Sequence, residues 1–393
     1  MRIGILTEYF PTMDGRGVTG GVEKRAWEVA TRLAGRHDVV VVASRQFGHL
    51  KREGSGNLTI LRVGSIHPYS NRGHVLSRLR FCFSLLRSRN LLQGCDVVDS
   101  QNFTTYVPGF FCARAVGAHP VATWHEVWLG SWVRHKGTVT GLAGEIWERI
   151  AITRPWDAVV CVTEYIARQV RSYSRGKIPV YVVPNGVDMK KITQISCSSK
   201  VPGLVVYVGR LVSSKGVDIL IRAFALVIKK HSVLRDKLVL EIIGDGPARA
   251  DLQALAEKLS LSECVRFRGR LESHEEVLRR IKEAELLVNP SALEGFGIVV
   301  GEAAACGTPV IISDIPAFRE VQAYVKGGRF FPVGDVESLA DAIYNHFMVS
   351  RIEVGDASVL DWDRVVVSLE KVYQSVVGPR HDGSSTCKSL RTG

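Results

Sequence analysis

Short apolar segments typical of buried β-strands recur along the chain, and segments with helical periodicity separate them. In the first half, strands are predicted at residues 2–7, 37–43, 58–63, 96–99, 120–125, 156–163 and 180–184. In the second half, they are predicted at residues 204–208, 238–243, 264–269, 285–290 and 309–312. Strands that alternate with helices pair in parallel, because each connection crosses over through a helix. The sequence therefore predicts an α/β fold with doubly wound parallel sheets.

A polar segment separates the two series of strands. Residues 188–202 include a run of serine, cysteine and lysine and read as a linker. The chain has 393 residues, more than one hydrophobic core usually supports. We therefore predict a first domain over residues 1–187, a linker over 188–202 and a second domain over 203–360. A helix over 361–378 is expected to cross back to the first domain, and residues 379–393 to form a disordered tail.

Positive charge is concentrated in the first half of the chain. Residues 1–190 hold 25 Lys and Arg against 14 Asp and Glu, a net charge of +11 out of +12 for the whole chain. Such asymmetry favours an anionic partner, for example a membrane surface or a phosphorylated lipid. A basic surface that only confers solubility is the alternative. We predict no nucleic-acid binding, because no motif for it accompanies the charge.

The sequence gives no sign of a membrane-spanning or secreted protein. No apolar run reaches the roughly 18 residues that a spanning helix requires, and the first residues lack the apolar core of a signal peptide. The eight cysteines are scattered without a metal-binding spacing, as expected for free thiols in a reducing cytosol. We predict a cytoplasmic protein that binds the cytosolic membrane face peripherally if it meets lipid.

Residues 75–89 predict an amphipathic helix with an apolar face bordered by arginines. The face comprises Val75, Leu76, Leu79, Cys82, Phe83 and Leu86, with Arg78 and Arg89 at one border and Arg80 and Arg87 at the other. Arginines in such positions can snorkel while the apolar stripe meets lipid. We favour the other interpretation, in which the helix packs on the sheet and its charges are solvated, because the buried strand at 96–99 needs helical cover.

Polar side chains and glycines follow several of the predicted strands. They are Gly20 and Gly21 in the loop after the first strand, His125 and Trp128 at and after the strand 120–125, Arg210 and Lys215 after 204–208, and Gly244 and Gly246 after 238–243. Ligands of open α/β sheets bind outside the carboxyl ends of the strands. Two cations and helix amides at a strand-to-helix junction can clamp a diphosphate. A histidine that only packs and a chance pair of surface cations are the alternatives.

Residues 290–309 form a glycine-containing turn that opens into a short helix. The helix is apolar almost all round and therefore belongs inside a domain, so Glu302 in its middle needs a hydrogen-bonding partner. Glu294 precedes Glu302 by eight residues, or roughly 12 Å along one side, which suits the two ends of a polyhydroxylated ligand. The amides of Phe296, Gly297 and Ile298 favour an anion between them. A core helix whose glutamate meets a backbone amide is the alternative.

Six segments of the chain form a set: 20–23 (GGVE), 124–126 (WHE), 183–188 (VPNGVD), 209–216 (GRLVSSKG), 244–247 (GDGP) and 294–309, where Glu294 and Glu302 precede ACGTP. Taken together and in this order, they resemble the GT-B-fold retaining glycosyltransferases of family 4. The resemblance extends over residues 1–375, and its second-half motifs are the more specific ones. It implies two Rossmann-like domains facing across a cleft, the first for the acceptor and the second for a nucleotide-sugar donor.

The resemblance also implies roles for individual residues. Glu302 would hold the ribose hydroxyls of the donor, Glu294 the hydroxyls of the transferred sugar, and His125 would contact that sugar near the reacting centre. Arg210 and Lys215 would neutralise the diphosphate, with amides near Gly20, Gly21 and 296–298. The base would lie near Gly244, Gly246, Arg270 and Leu271. Arg78, Arg80, Arg87, Arg89 and Trp128 are predicted to face the acceptor or a membrane.

The sequence thus predicts a hexosyltransferase acting from a UDP- or GDP-sugar onto a hydroxyl of a membrane-associated acceptor, such as a polyprenyl-linked glycan or a lipid. We expect no metal ion and no other cofactor. Arg210 and Lys215 would neutralise the diphosphate, and no DxD-type carboxylate pair follows a predicted strand. The resemblance implies transfer with retention at the anomeric carbon, by a same-face attack that the leaving phosphate assists, and no carboxylate in the sequence is placed for a double displacement. A nucleotide-sugar epimerase of the same fold and a non-catalytic nucleotide-sugar-binding protein at a membrane surface are the alternatives.

Overall fold

The computed structural model describes residues 1–378 except 16, 18, 19, 67–74 and 198; the predicted tail at 379–393 lies outside these residues. The first series of elements is β1 (Arg2–Leu6), α1 (Gly21–Ala34), β2 (Asp38–Arg45), β3 (Arg52–Ser55), β4 (Leu58–Ile66), α2 (Val75–Arg87), β5 (Val97–Ser100), α3 (Phe103–Ala115), β6 (His119–Trp124), α4 (Trp132–Lys136), α5 (Thr138–Ile152), β7 (Ala158–Cys161), α6 (Glu164–Tyr173), β8 (Val180–Val182) and α7 (Met189–Gln194). The second is β9 (Val201–Val208), α8 (Val217–Lys230), β10 (Val239–Ile243), α9 (Arg249–Lys258), β11 (Val265–Gly269), α10 (His274–Glu283), β12 (Ala284–Asn289), α11 (Ile298–Ala305), β13 (Val310–Ser313), α12 (Pro316–Val325), β14 (Arg329–Phe331), α13 (Val336–Met348) and α14 (Trp362–Val377).

These strands form two parallel sheets. The first has eight strands in the order β3-β4-β2-β1-β5-β6-β7-β8, and the second has six in the order β11-β10-β9-β12-β13-β14. Among the strands described, β3 with β4 makes the antiparallel pairing, and the other neighbours run parallel, as the alternation of strands and helices predicts. The α/β class with two parallel-sheet domains is therefore confirmed.

Two edge strands were not predicted from the sequence. The strand β3 has the sequence REGS and is largely exposed, so it lacks the apolar residues by which a buried strand is recognised. The strand β14 has three residues, too few for a periodic pattern. Both lie at the edge of a sheet. There, pairing with one neighbouring strand is enough to hold a segment whose own sequence does not favour a strand.

The central strands are apolar on both faces because helices cover both faces of each sheet. In β2, Val39 and Val41 share a buried cluster with α1 and α14. Val40 and Val42 of the same strand share another buried cluster with α2 and α3. The first sheet is therefore a middle layer, with α1 and α14 on one side and α2 and α3 on the other.

The helix α2 packs on the first sheet, as the favoured interpretation holds, but most of the predicted apolar stripe faces outward. Its buried residues are Phe81, Cys82 and Leu85. Of the predicted stripe, Val75, Leu76, Leu79 and Phe83 are exposed, the last two by 50% and 56%. The helix is turned so that Phe81 and Leu85 meet the residues of β2 and α3. The sequence of α2 alone does not show on which side α3 lies.

The chain passes between the two domains twice, at neighbouring positions. The N–H of Val187 donates to the carbonyl of Leu360 at 2.7 Å, and the N–H of Trp362 donates to the carbonyl of Val187 at 3.1 Å. Beyond this crossing, α14 packs against α1, where Arg36 pairs with Glu370 at 2.6 Å. The segment 188–202 itself contains α7 and the start of β9.

Candidate active site in the interdomain cleft

A buried ion pair lies at the carboxyl end of the second sheet. Lys215 precedes α8, and its Nζ lies 2.6 Å from Oε1 of Glu294, with both side chains largely buried. Ser291 donates to the same carboxylate oxygen at 3.1 Å. Gly216 has a left-handed φ of 62°, and a Cβ there would overlap the carbonyl of Pro290, which explains why the residue after Lys215 is glycine. The loop before α8 and the loop before α11 are thus held together.

The second predicted carboxylate, Glu302, lies in the middle of α11 and is only 5% exposed. Its Oε1 accepts a hydrogen bond from Nε2 of His274, the first residue of α10, at 2.8 Å. Burial raises the pKa of Glu302, but His274 and then Lys24 lower it by more than burial raises it. The pKa therefore lies below its ordinary value. The carboxylate is therefore ionised. The expected partner exists, but it is an imidazole and not a backbone amide.

The walls of the cleft meet near these residues. A Cβ on Gly295 would overlap the carbonyl of His125, and a Cβ on Gly21 would touch the side chain of Ile298. Thr163 donates to the carbonyl of Gly295 at 3.4 Å. The first domain thus contacts the start of α11 closely enough to exclude water from part of the cleft.

A second contact between the domains involves the N-terminus of α6. Glu320 of α12 accepts from the backbone N–H groups of Glu164 at 2.6 Å and Tyr165 at 2.5 Å. A carboxylate at this position satisfies amides that no carbonyl within the helix reaches and complements the helix dipole.

Charged residues from both domains also converge on Glu23 in α1. Burial raises the pKa of Glu23, and its own backbone hydrogen bond and the cations Arg210 and Arg270 of the second domain oppose that shift. Gly244 and Gly246 lie beside Arg210, because a Cβ on either would overlap the backbone at Gly209 or Leu211. The loops after β9 and β10 therefore approach each other more closely than side chains would allow.

His125 follows β6 and is held neutral. Burial, and then the positive charge of Arg25, lowers its pKa to about 3. Its buried Nε2 has no hydrogen-bond partner among the residues that the structure describes. On the neighbouring strand β5, Asp99 accepts from Tyr373 of α14 at 2.6 Å and from Thr123 at 2.9 Å. A neutral imidazole whose buried ring nitrogen lacks a partner among the described residues can bind a hydroxyl group of a ligand.

A loop rich in tryptophan borders the first-domain side of the cleft. Buried Glu148 of α5 accepts from the backbone N–H of Trp128 at 3.1 Å and from Nε1 of Trp132 at 2.6 Å. Trp128 in turn donates to Glu126 at 2.7 Å, and Nζ of Lys136 lies 5.6 Å from the centre of its ring. Glu148 thus fixes the loop that carries Trp128.

The structure brings most of the predicted second-domain residues to one cleft, and it separates the predicted arginines of α2 from one another. Arg78 turns inward and pairs with buried Glu8 at 2.9 Å. Arg80 and Arg87 lie on the exposed surface of α2, with Arg89 just beyond its end. Residues that sequence reasoning missed are Glu23, Lys24, Arg25, Glu148 and His274. Glu23 belongs to the GGVE segment, but no role was predicted for it. The other four residues belong to no motif that would single them out.

Comparison with known proteins agrees with this architecture. A search of solved structures finds sucrose-phosphate synthase from Thermosynechococcus elongatus with a TM-score of 0.76 and 18% identity, over 95% of this chain and 98% of that one. This likeness concerns the fold, which is of the GT-B type: two parallel-sheet α/β domains that meet at a cleft.

Two family models match consecutive parts of the chain. The model described as Glycosyltransferase Family 4 matches residues 19–191, and the one described as Glycosyl transferases group 1 matches residues 188–346. The chain belongs to the family 4 glycosyltransferases. It is 26% identical to D-inositol 3-phosphate glycosyltransferase of Nocardiopsis dassonvillei, over 95% of this chain and 94% of that one. It is 28% identical to phosphatidyl-myo-inositol mannosyltransferase of Mycobacterium leprae, over 96% and 97%.

Proposed function

We propose that the protein transfers a hexose from a UDP- or GDP-sugar, with retention at the anomeric carbon and without a metal ion, to a hydroxyl of a membrane-associated glycan or lipid. The observation that carries the donor side is the buried pair of Lys215 and Glu294. It places a cation for a leaving diphosphate beside a carboxylate for sugar hydroxyls. Arg210 stands on the same strand end and adds a second cation.

In the proposed reaction the bond between the anomeric carbon and the donor phosphate breaks, and a bond from that carbon to the acceptor oxygen forms on the same face. The acceptor proton passes to the departing phosphate. Lys215 and Arg210 stabilise the charge that develops on that phosphate, and Glu302 holds the ribose. His125, neutral because of burial, positions a hydroxyl of the transferred sugar. The contact between Gly295 and His125 limits the access of water, and hence hydrolysis of the donor.

A panel of UDP- and GDP-sugars, tested by thermal shift in the presence of EDTA, examines the donor proposal. At a concentration of a hundred times Kd, one donor should raise the melting temperature by about 3 °C. Glu302→Ala should abolish the shift, because it removes the ribose contact. If no donor stabilises the protein and Glu302→Ala changes nothing, the proposed function is wrong.

The acceptor side rests on an exposed apolar surface of the first domain. Besides the stripe on α2, the helix α5 exposes Val139, Leu142, Ile146 and Ile150, the first two by 85% and 54%. These residues recur every three or four positions and therefore share one face. The helix α3 packs between α2 and α5 and exposes Phe111. Three adjacent helices thus present apolar side chains outward.

The charges around this surface favour an anionic lipid layer as its partner. The sequence from Val75 to Leu92 contains four arginines and no acidic residue. On α5, Glu148 is buried, and Glu145 accepts from the N–H of Gly130 at 2.9 Å. Both relatives compared above are named for inositol-containing acceptors, one of them phosphatidyl-linked. Apolar stripes beside arginines are typical of helices that lie in a membrane interface. No helix in the described part of the chain is long and apolar enough to cross a bilayer.

Sedimentation with liposomes examines the acceptor proposal. Replacing both Arg80 and Arg87 by alanine should lower the partition coefficient on anionic liposomes at low salt by about thirtyfold, at about 1 kcal/mol for each cation. The matched control is Lys229→Ala with Lys230→Ala on α8 of the second domain, which should leave the partition coefficient unchanged. Equal binding of the wild-type protein to neutral liposomes, or binding to neither kind, would remove the membrane from the proposal.

A further inference from the structure

The hydrogen bond between His274 and Glu302 has no part in the function proposed so far. Glu302 is ionised and can only accept, so Nε2 of His274 is the donor. The side chains that lower the pKa of Glu302 are His274 from α10 and Lys24 from α1. Lys24 is itself engaged, because its Nζ pairs with Glu28 at 2.7 Å. His274 is therefore the described side chain that holds the Glu302 carboxylate directly.

The place of His274 is set independently of this bond. The N-terminus of α10 is capped by Ser273, whose side chain accepts from the N–H of Glu276 at 3.1 Å. The other half of the helix is tied to the segment after α11, where Thr308 donates to the carbonyl of Ile281 at 2.6 Å. His274 thus stands on a rigid support, as a group that orients another must do.

An ionised carboxylate has about four acceptor positions on its two oxygens. His274 occupies one of those on Oε1, which leaves both oxygens able to accept from the adjacent hydroxyls of a ribose. Without His274, rotation about the last torsion of Glu302 is restrained only by weaker forces, because this torsion has a broad minimum. A carboxylate that is free to rotate binds a diol less well, since it loses that freedom on binding.

We propose that His274 is a positioning residue that fixes the Glu302 carboxylate for the 2′ and 3′ hydroxyls of the donor ribose. It thereby sets the preference of the site for ribonucleotides over 2′-deoxyribonucleotides. The inference rests on the proposed function, because it takes the ligand of Glu302 to be the ribose of a nucleotide. It goes beyond that function in naming a residue that acts through Glu302 and a selectivity that follows from it.

Calorimetric titration with UDP, dUDP, GDP and dGDP tests the inference without an acceptor. For one base, the wild-type protein should bind the ribonucleotide about thirtyfold more tightly than the deoxy form, because a hydrogen bond to a charged group contributes about 2 kcal/mol. His274→Ala should weaken ribonucleotide binding about tenfold and deoxynucleotide binding by less, because the deoxy form offers Glu302 only its 3′ hydroxyl. His274→Gln, which keeps an N–H donor at similar reach, should restore most of the preference.

Glu275→Gln is the matched control on the same helix, because Glu275 is exposed and pairs with Arg279 at 3.1 Å. This variant should prefer ribonucleotides over deoxynucleotides as strongly as the wild-type protein does. If His274→Ala does not fold, His274→Asn carries the same test, since its amide is too short to reach Glu302. Suppose that the variant without the donor keeps the preference for ribonucleotides, or loses affinity equally for the ribo and deoxy forms. Either result would overturn the role of His274 and leave the donor proposal standing. If the wild-type protein binds none of the four nucleotides, the donor proposal fails as well.

Discussion

Replacing Lys215 by alanine should lower kcat for cleavage of the donor by about a thousandfold, because removal of one group that stabilises developing charge costs about 10²–10³ in kcat. Lys215 also pairs with Glu294 at 2.6 Å. Its loss therefore frees the carboxylate assigned to the transferred sugar. Both effects act on the same step, so we expect the upper end of that range.

The measurement is the initial rate of nucleoside diphosphate release from the donor that gives the largest thermal shift. It can be made without an acceptor, as slow hydrolysis, and repeated once an acceptor is found. Lys215→Arg keeps the charge and should retain more activity than the alanine variant, whereas Lys229→Ala, at an exposed position near the end of α8, should match the wild-type protein. A Lys215→Ala rate within tenfold of the wild-type rate would contradict the assignment.

The largest expected effect on stability is that of Trp362→Ala, which should lower the free energy of unfolding by about 4 kcal/mol. Trp362 begins α14 and is fully buried. It fills the space beside Gly186, where a Cβ would lie 2.6 Å from the Trp362 ring. Alanine would leave a cavity at the point where the chain crosses between the domains, and the backbone there is already held by hydrogen bonds and cannot collapse freely.

Urea unfolding followed by circular dichroism measures this effect, with Val367→Ala as the control. Val367 lies on the same helix but is 39% exposed, so its truncation should cost less than about 1 kcal/mol. A loss below about 1 kcal/mol for Trp362→Ala would mean that α14 contributes little to the fold.

Parallel sheets and most strands could be predicted from the sequence because buried parallel strands are apolar on both faces. The positions of Arg210, Lys215 and Glu294 after strand ends, and of Glu302 within α11, could be predicted because these residues stand in motifs with recognisable spacings. Which apolar side of α2 is exposed could not be predicted. The helix has apolar residues on two sides, and the position of α3 decides which side is buried. His274 could not be predicted either, because its partner stands 28 residues away and the two meet only when α10 packs on α11.

The paired crossings at Val187 and Trp362 have a mechanical consequence. A single covalent connection would let one domain twist, tilt and slide relative to the other. Two connections that are hydrogen-bonded to each other, at 2.7 and 3.1 Å, resist twisting and sliding, and they leave bending about one axis as the softest motion. The two domains can therefore open and close the cleft by hinge bending, with the hinge at these two crossings. Each closure then returns Lys215 and His125 to the same relative position.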